Sequence, residues 1–167
     1  NVHGLYLTGS TGEGFLMSPE ERKEAVEVVL EEVNGKIPVI VHIGAIGSKI
    51  SADLAVHARK AGADGVSSVP PFYFKFGPEN IRRYYEEVSA AAELPMFLYN
   101  ISLAGAMDFS LIRQLAQIPG VAGMKFTAPA QHEFLRIRQE LLADFVIFSG
   151  ADEMAMSGFA YGADGII

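Results

Sequence analysis

The chain contains no cysteine. That excludes disulfides, thiolate nucleophiles and cysteine-ligated metals, and it suits a reducing compartment. Positive charge is also scarce: 13 lysines and arginines face 20 aspartates and glutamates, for a formal net charge of −7. There is no basic run, and Arg82-Arg83 is an isolated pair, which argues against a nucleic-acid partner. No apolar stretch reaches the ~18 residues of a membrane span, and no secretory signal is read at the start. The expected location is the cytoplasm. What is present is apolar: 50% of the 167 residues are hydrophobic and 20% charged, the composition of one globular domain with a sizeable core.

Apolar strand-like runs alternate with helical patterns from end to end. The runs are 2–8, 37–43, 65–70, 95–100, 121–126, 145–149 and 165–167. Each is nearly continuous in apolar residues, as buried parallel strands are. Ser18-Pro19-Glu20-Glu21 reads as a helix start with Ser as N-cap, Pro at the first position and Glu at the third. Ile50, Leu54, Ala58 and Ala61 form a second helical stripe. Pro78 opens a third helix carrying Ile81, Tyr85 and Val88. Asp108 caps a fourth with Leu111, Ile112 and Leu115, and Phe134, Ile137 and Leu141 mark a fifth. Gly62-Ala63-Asp64-Gly65 returns as Gly162-Ala163-Asp164-Gly165, each time between a helix and a strand. The first Gly of each suits a left-handed helix end.

This βα series fits a (β/α)8 barrel or a doubly wound open sheet. Polar residues cluster after successive strands, around Thr8 to Glu13, His42, Tyr73, Tyr99-Asn100, Lys125 to Thr127 and Asp152-Glu153. A barrel gathers all such loops at one mouth, whereas an open sheet strings them along an edge. No GxGxxG follows the first strand, and the barrel is favoured. Seven strand-like runs cannot close eight strands. The expectation is an incomplete (β/α)8 TIM barrel, residues 1–167 being part of a single catalytic domain that lacks its first strand and its C-terminal helices.

Lys125 ends the apolar run Val121-Ala122-Gly123-Met124-Lys125-Phe126. Burial disfavours a charged ammonium, and a neutral amine is a nucleophile toward a carbonyl. The alternative is a lysine that snorkels from a strand end to solvent. Lys75, between Phe74 and Phe76, is its rival. The turn Gly9-Ser10-Thr11-Gly12-Glu13-Gly14 presents three glycines and two hydroxyls after a strand. It is either an anion nest or a tight turn whose Ser and Thr bond their own backbone. Tyr99 is a proton relay or a strand-end core tyrosine. Asp152 and Glu153 head a helix or bind sugar hydroxyls. No spacing marks a metal site, and the four histidines are read as structural, His42 with the least support.

Gly9-Ser10-Thr11-Gly12-Glu13, Tyr99-Asn100, Gly123-Met124-Lys125-Phe126-Thr127 and Gly150-Ala151-Asp152-Glu153, in this order and with Pro70-Pro71-Phe72-Tyr73 between, resemble the dihydrodipicolinate synthase/N-acetylneuraminate lyase family. The resemblance implies a (β/α)8 barrel, a homotetramer, and a lysine that forms a Schiff base with pyruvate without any cofactor. It places Lys125 as that lysine, Tyr99 as the proton relay and Tyr73 as the tyrosine that approaches a neighbouring subunit's site. Ser10 and Thr11 fall where the pyruvate carboxylate is held. Synthases of the family follow the Tyr-Asn pair with Pro and then Arg; here Ile101-Ser102-Leu103-Ala104-Gly105 has no Arg, and Ser102 departs from both branches, which generally have Pro there. Thr127, Gly150, Asp152 and Glu153 instead look like the lyase branch, where they meet the sugar-acid chain. The resemblance therefore implies cleavage of N-acetylneuraminate, a sialic acid, to N-acetylmannosamine and pyruvate. A synthase or another pyruvate aldolase of the family, and a non-catalytic sugar-acid-binding regulator, are the alternatives.

Overall fold

The computed structural model describes residues 2–141 and 143–167. Seven strands form one sheet in sequence order: β1 (Leu5–Leu7), β2 (Val39–His42), β3 (Gly65–Ser68), β4 (Met96–Asn100), β5 (Val121–Phe126), β6 (Val146–Ser149) and β7 (Gly165–Ile166). Every neighbouring pair is parallel. The helices between them are α1 (Pro19–Val33), α2 (Ser48–Ala61), α3 (Pro78–Ala92), α4 (Phe109–Leu115), α5 (Gln131–Glu140) and α6 (Ala155–Ala160). This is the expected incomplete (β/α)8 barrel and not a doubly wound sheet, whose strand order would reverse at a switch point.

The sheet curls strongly. Tyr6 on β1 and Tyr99 on β4 are three strands apart, roughly 14 Å in a flat sheet. Their ring centroids lie only 6.2 Å apart. Alternation along each strand divides the labour. Met96, Leu98, Met124, Phe126 and Ile147 are at most 1% exposed and pack with the helices, Phe126 edge-on to Phe134 of α5 at 5.6 Å. The residues between them, including Phe97, Tyr99, Lys125 and Phe148, face the barrel interior, where the Phe97 and Phe148 rings lie 5.7 Å apart.

Helix starts follow the sequence. Ser18 caps α1 in a full capping box with Glu21, Pro78 opens α3, and the Asp108 carboxylate accepts from Leu111 N–H. On α2 Leu54 and Ala58 are buried as expected, but Ser51 and Ala55 join them and Ile50, 42% exposed, does not. Ser51 is drawn inward because its hydroxyl accepts a bond from Tyr84 of α3 at 2.9 Å.

The Gly-Ala-Asp-Gly echo is a structural repeat. Gly62 (φ 94°) and Gly162 (φ 91°) are both left-handed, a conformation that favours glycine. Each Asp then clamps the preceding strand. Asp64 N–H donates to Val39 O at 3.0 Å while its carboxylate accepts from Val39 N–H at 2.8 Å. Asp164 repeats this on Ile147, at 2.9 and 2.8 Å. The clamps fix the register of β2 against β3 and of β6 against β7, so the loops at the other end of the sheet start level.

Candidate active site

Lys125 is 7% exposed and points into the barrel near the C-terminal ends of the strands. No carboxylate forms an ion pair with it among the described residues. Its Nζ instead lies 4.5 Å from the Tyr99 ring centroid and 4.6 Å from that of Tyr6. The two phenols differ. Tyr6 donates its hydroxyl proton to Ser67 Oγ at 2.9 Å, and burial pushes its pKa far above the usual range. Tyr6 therefore stays protonated and committed, whereas the Tyr99 hydroxyl makes no hydrogen bond among the described residues.

Gly150 is where Lys125 and Thr127 meet. A Cβ there would lie 2.0 Å from Thr127 Oγ1 and 2.7 Å from Lys125 Cε. The Gly150 N–H continues the ladder to Phe126 O at 2.9 Å, so the backbone cannot easily withdraw. Thr127 Oγ1 is buried without a hydrogen-bond partner among the described residues.

The glycine-rich turn leaves β1 at the same end of the sheet. Thr8 (φ 52°) and Glu13 (φ 54°) are left-handed. The turn closes through Glu13 N–H to Ser10 O and Gly14 N–H to Gly9 O, both at 3.1 Å. A Cβ on Gly14 would sit 2.0 Å from Thr8 O, so only glycine fits. The N–H groups and hydroxyls of Ser10 and Thr11 enter no hydrogen bond among the described residues, as an anion nest requires. Ser10 is half-buried and Thr11 exposed.

Asp152 and Glu153 follow β6 and are exposed. They form a single 3-10 turn, Asp152–Met154, that leads directly into α6, so both acids stand at the start of a helical segment as one of the two readings had it, although neither carboxylate makes a capping hydrogen bond. After β4, the Asn100 side chain accepts from Met107 N–H at 2.9 Å and donates to Met107 O at 3.4 Å, folding the 101–107 loop back on itself. Tyr73 stands apart: it is 81% exposed, has φ 82°, and meets the Phe74 ring at 4.9 Å. Lys75, the rival lysine, is exposed in the same loop.

His42, read from the sequence as structural, is packed beside the cluster of Lys125, Tyr6 and Tyr99. His42 is 1% exposed and edge-on to Tyr99 (5.8 Å) and Phe15 (5.3 Å). Its Nδ1 donates to Thr8 O at 3.1 Å. Burial first, then the nearby Arg22 guanidinium, push its pKa down to about 3, so it is neutral. Arg22, missed in the sequence, is buried on α1. Its signal was present: Arg22 and Val26 are four apart, on one helical stripe. Among the described residues no three His, Asp or Glu side chains gather as a metal site would require. The mouth thus holds two basic side chains without carboxylate partners among the described residues, Lys125 and Arg22, in a chain of net charge −7.

The likenesses to known proteins agree with this geometry. An N-acetylneuraminate lyase of Escherichia coli is 40% identical over 98% of the chain and 56% of its own length. The sialic acid aldolase of Ruminococcus gnavus superposes with a TM-score of 0.95 at 36% identity, over 98% of this chain and 55% of that one. A dihydrodipicolinate synthase from Aquifex aeolicus gives 0.95 at 26% identity, over 100% and 58%. The chain spans a little over half the length of these relatives. The pattern of the dihydrodipicolinate synthetase family matches residues 1–167 throughout, and with the barrel, the strand-end lysine and the nest in place, the chain belongs to that family.

Proposed function

We propose that the protein is a Schiff-base aldolase that cleaves N-acetylneuraminate to N-acetylmannosamine and pyruvate. One observation carries the reading: Lys125 is buried, unpaired by any carboxylate, and held between the Tyr6 and Tyr99 rings at the same end of the barrel as an open nest. An amine so placed, with no carboxylate to hold it in an ion pair, is within the site to add to a carbonyl. The lyase branch is supported by the 40% identity to an N-acetylneuraminate lyase and by the absence of Arg from 101–105. A relative whose catalytic lysine has been mutated is itself a sialic acid aldolase.

In this reading the steps are as follows. The Lys125 amine adds to the C2 ketone of the open-chain sugar acid, and water leaves to give a protonated imine. The nest N–H groups and hydroxyls of Ser10 and Thr11 take the C1 carboxylate. Tyr99 removes the proton from the C4 hydroxyl; the C3–C4 bond breaks, its electrons passing to the iminium as an enamine while the C4 carbonyl forms. Protonation of the enamine at C3 and hydrolysis of the imine release pyruvate and restore the amine. On the same reading Thr127 Oγ1, over Gly150, meets a substrate hydroxyl, and Asp152 and Glu153 meet the polyol chain. In this reading residues 1–167 belong to one catalytic domain that works in the cytoplasm as a homotetramer, in which Tyr73 reaches a neighbouring subunit's site.

The test is reductive trapping. Borohydride added with pyruvate fixes the imine, and peptide mapping locates it. The expected adduct is on Lys125; an adduct on Lys75, or turnover with no adduct, overturns the reading. Tyr99→Phe is expected to keep the adduct and lose turnover by about 10²–10⁴-fold, the usual contribution of a general acid–base group.

A further inference from the structure

Arg22 is a buried cation that the proposed reaction does not use. It is 4% exposed, near the start of α1, and pairs with no carboxylate among the described residues. Its guanidinium reaches the end of β2 instead. One nitrogen donates to His42 O at 2.5 Å and another to Gly44 O at 2.9 Å, while Nε is buried with no partner. Burial lowers its pKa to about 10, so it keeps its charge at neutral pH. A helix that had only to pack would be as well served by an apolar side chain of similar volume.

The carbonyls it holds lead to the nest. His42 O accepts a second bond from Thr8 Oγ1 at 2.8 Å, and Thr8 O accepts from His42 Nδ1 at 3.1 Å. Thr8 is β-branched and left-handed at φ 52°, a conformation that persists only where its surroundings impose it. The next residue is Gly9, the first of the nest, and Thr8 O also bounds the space at Gly14. Contacts therefore run without a break from Arg22 through His42 and Thr8 to both ends of the nest.

We propose that Arg22 is a positioning residue that holds the Ser10–Thr11 nest in its anion-binding shape through His42 and Thr8, and adds uncompensated positive charge at that end of the barrel. The ligand class is the carboxylate of a 2-oxo acid; that this acid is pyruvate rests on the aldolase reading above.

The experiment measures half-saturation by pyruvate, both in borohydride trapping and in calorimetric titration, with the product of the full reading frame. Arg22→Met, Arg22→Lys and Arg138→Met are compared with wild type. Arg138 makes a comparable set of bonds, to Gly162 O, Phe145 O and the Asp164 carboxylate, at the opposite end of the strands from the nest. Arg22→Met is expected to raise the half-saturating concentration about tenfold or more, as loss of charge-assisted bonds does, with a smaller change in the maximal trapping rate. Arg22→Lys, which keeps the charge but not the two-pronged geometry, is expected to fall between and carries the test if Arg22→Met does not fold. Arg138→Met is expected to lower the melting temperature and leave half-saturation unchanged. An unchanged half-saturation in a folded Arg22 variant, or an equal rise in Arg138→Met, overturns the proposal. Wild-type protein that binds pyruvate without forming an adduct sinks the aldolase reading, while a weakened titration in Arg22→Met would still support the positioning role. Wild-type protein that binds no pyruvate at all overturns both.

Discussion

Replacing Gly150 by alanine adds one methyl group at the point where Lys125 and Thr127 converge. The backbone accepts the change, since Gly150 is not among the positive-φ residues. The obstacle is space. The new Cβ would lie 2.0 Å from Thr127 Oγ1, 2.7 Å from Lys125 Cε and 3.0 Å from Lys125 Cγ. A rotation about the Thr127 side chain can relieve the first contact but not the others. Ordinary contact begins near 3.4 Å, so Cε must retreat by the difference from 2.7 Å, about 0.7 Å. Tyr6 and Tyr99 flank the amine, so the retreat changes its line of approach to a ketone. Misplacement on the order of 1 Å costs about 10²-fold in a positioned reaction, and overpacking of this kind costs about 1–3 kcal/mol of stability. The assay is the initial rate of borohydride trapping with pyruvate, with thermal melting to confirm the fold. Gly47→Ala is the control, because nothing lies within 4 Å of its added Cβ. A folded Gly150→Ala protein that traps pyruvate at the wild-type rate would refute the reasoning, and with it the placement of the reactive amine beside Gly150.

Two further predictions concern specificity and pH. Asp152→Asn with Glu153→Gln is expected to leave pyruvate trapping within about twofold and to slow N-acetylneuraminate cleavage by about 10–100-fold, the range for lost hydrogen bonds to charged groups; equal loss in both assays would remove these acids from substrate selection. His42 should make the fold acid-labile. Its pKa falls from 6.5 to about 3 on folding, so the unfolded chain binds the extra proton, and stability is complete above pH 6.5 and lost as pH falls toward 3. Between pH 6.5 and 5 that single group costs about 2 kcal/mol. Urea unfolding across this window should therefore show a shallower pH dependence for His42→Gln than for wild type; identical slopes would count against a buried neutral imidazole.

Most of the fold could be read from the chain because its signals are local. The run 121–126 matches β5 from end to end, and the capping box, the proline at the start of α3 and the two Gly-Ala-Asp-Gly returns all lie where expected. The runs at 2–8 and 165–167 shrink to Leu5–Leu7 and Gly165–Ile166. Each of these strands has a neighbour on one side only among the described strands, and a ladder needs a partner for every residue it claims. The site was legible where a motif is contiguous, as at Ser10-Thr11 and Lys125 to Thr127. It was not legible where the partners come from distant strands. His42 is an isolated histidine in the sequence, and its neighbours Tyr6, Phe15 and Tyr99 are brought to it only by the curl of the sheet. Period-two alternation identifies inward residues but says nothing about which inward faces meet.

That same alternation ties the chemistry to the core. On β5 Met124 and Phe126 face the helices at no more than 1% exposure, and Lys125 between them faces the barrel. A slip of one residue would send the amine into the helix layer and two apolar side chains into the mouth. The register is supported by packing that contacts no ligand: Phe126 against Phe134, and the Asp164 clamp on neighbouring β6. The barrel can therefore tolerate basic side chains without carboxylate partners at Lys125 and Arg22. Their cost is borne by an apolar outer layer with nothing else to do, and the loops at the mouth remain free to vary with the substrate.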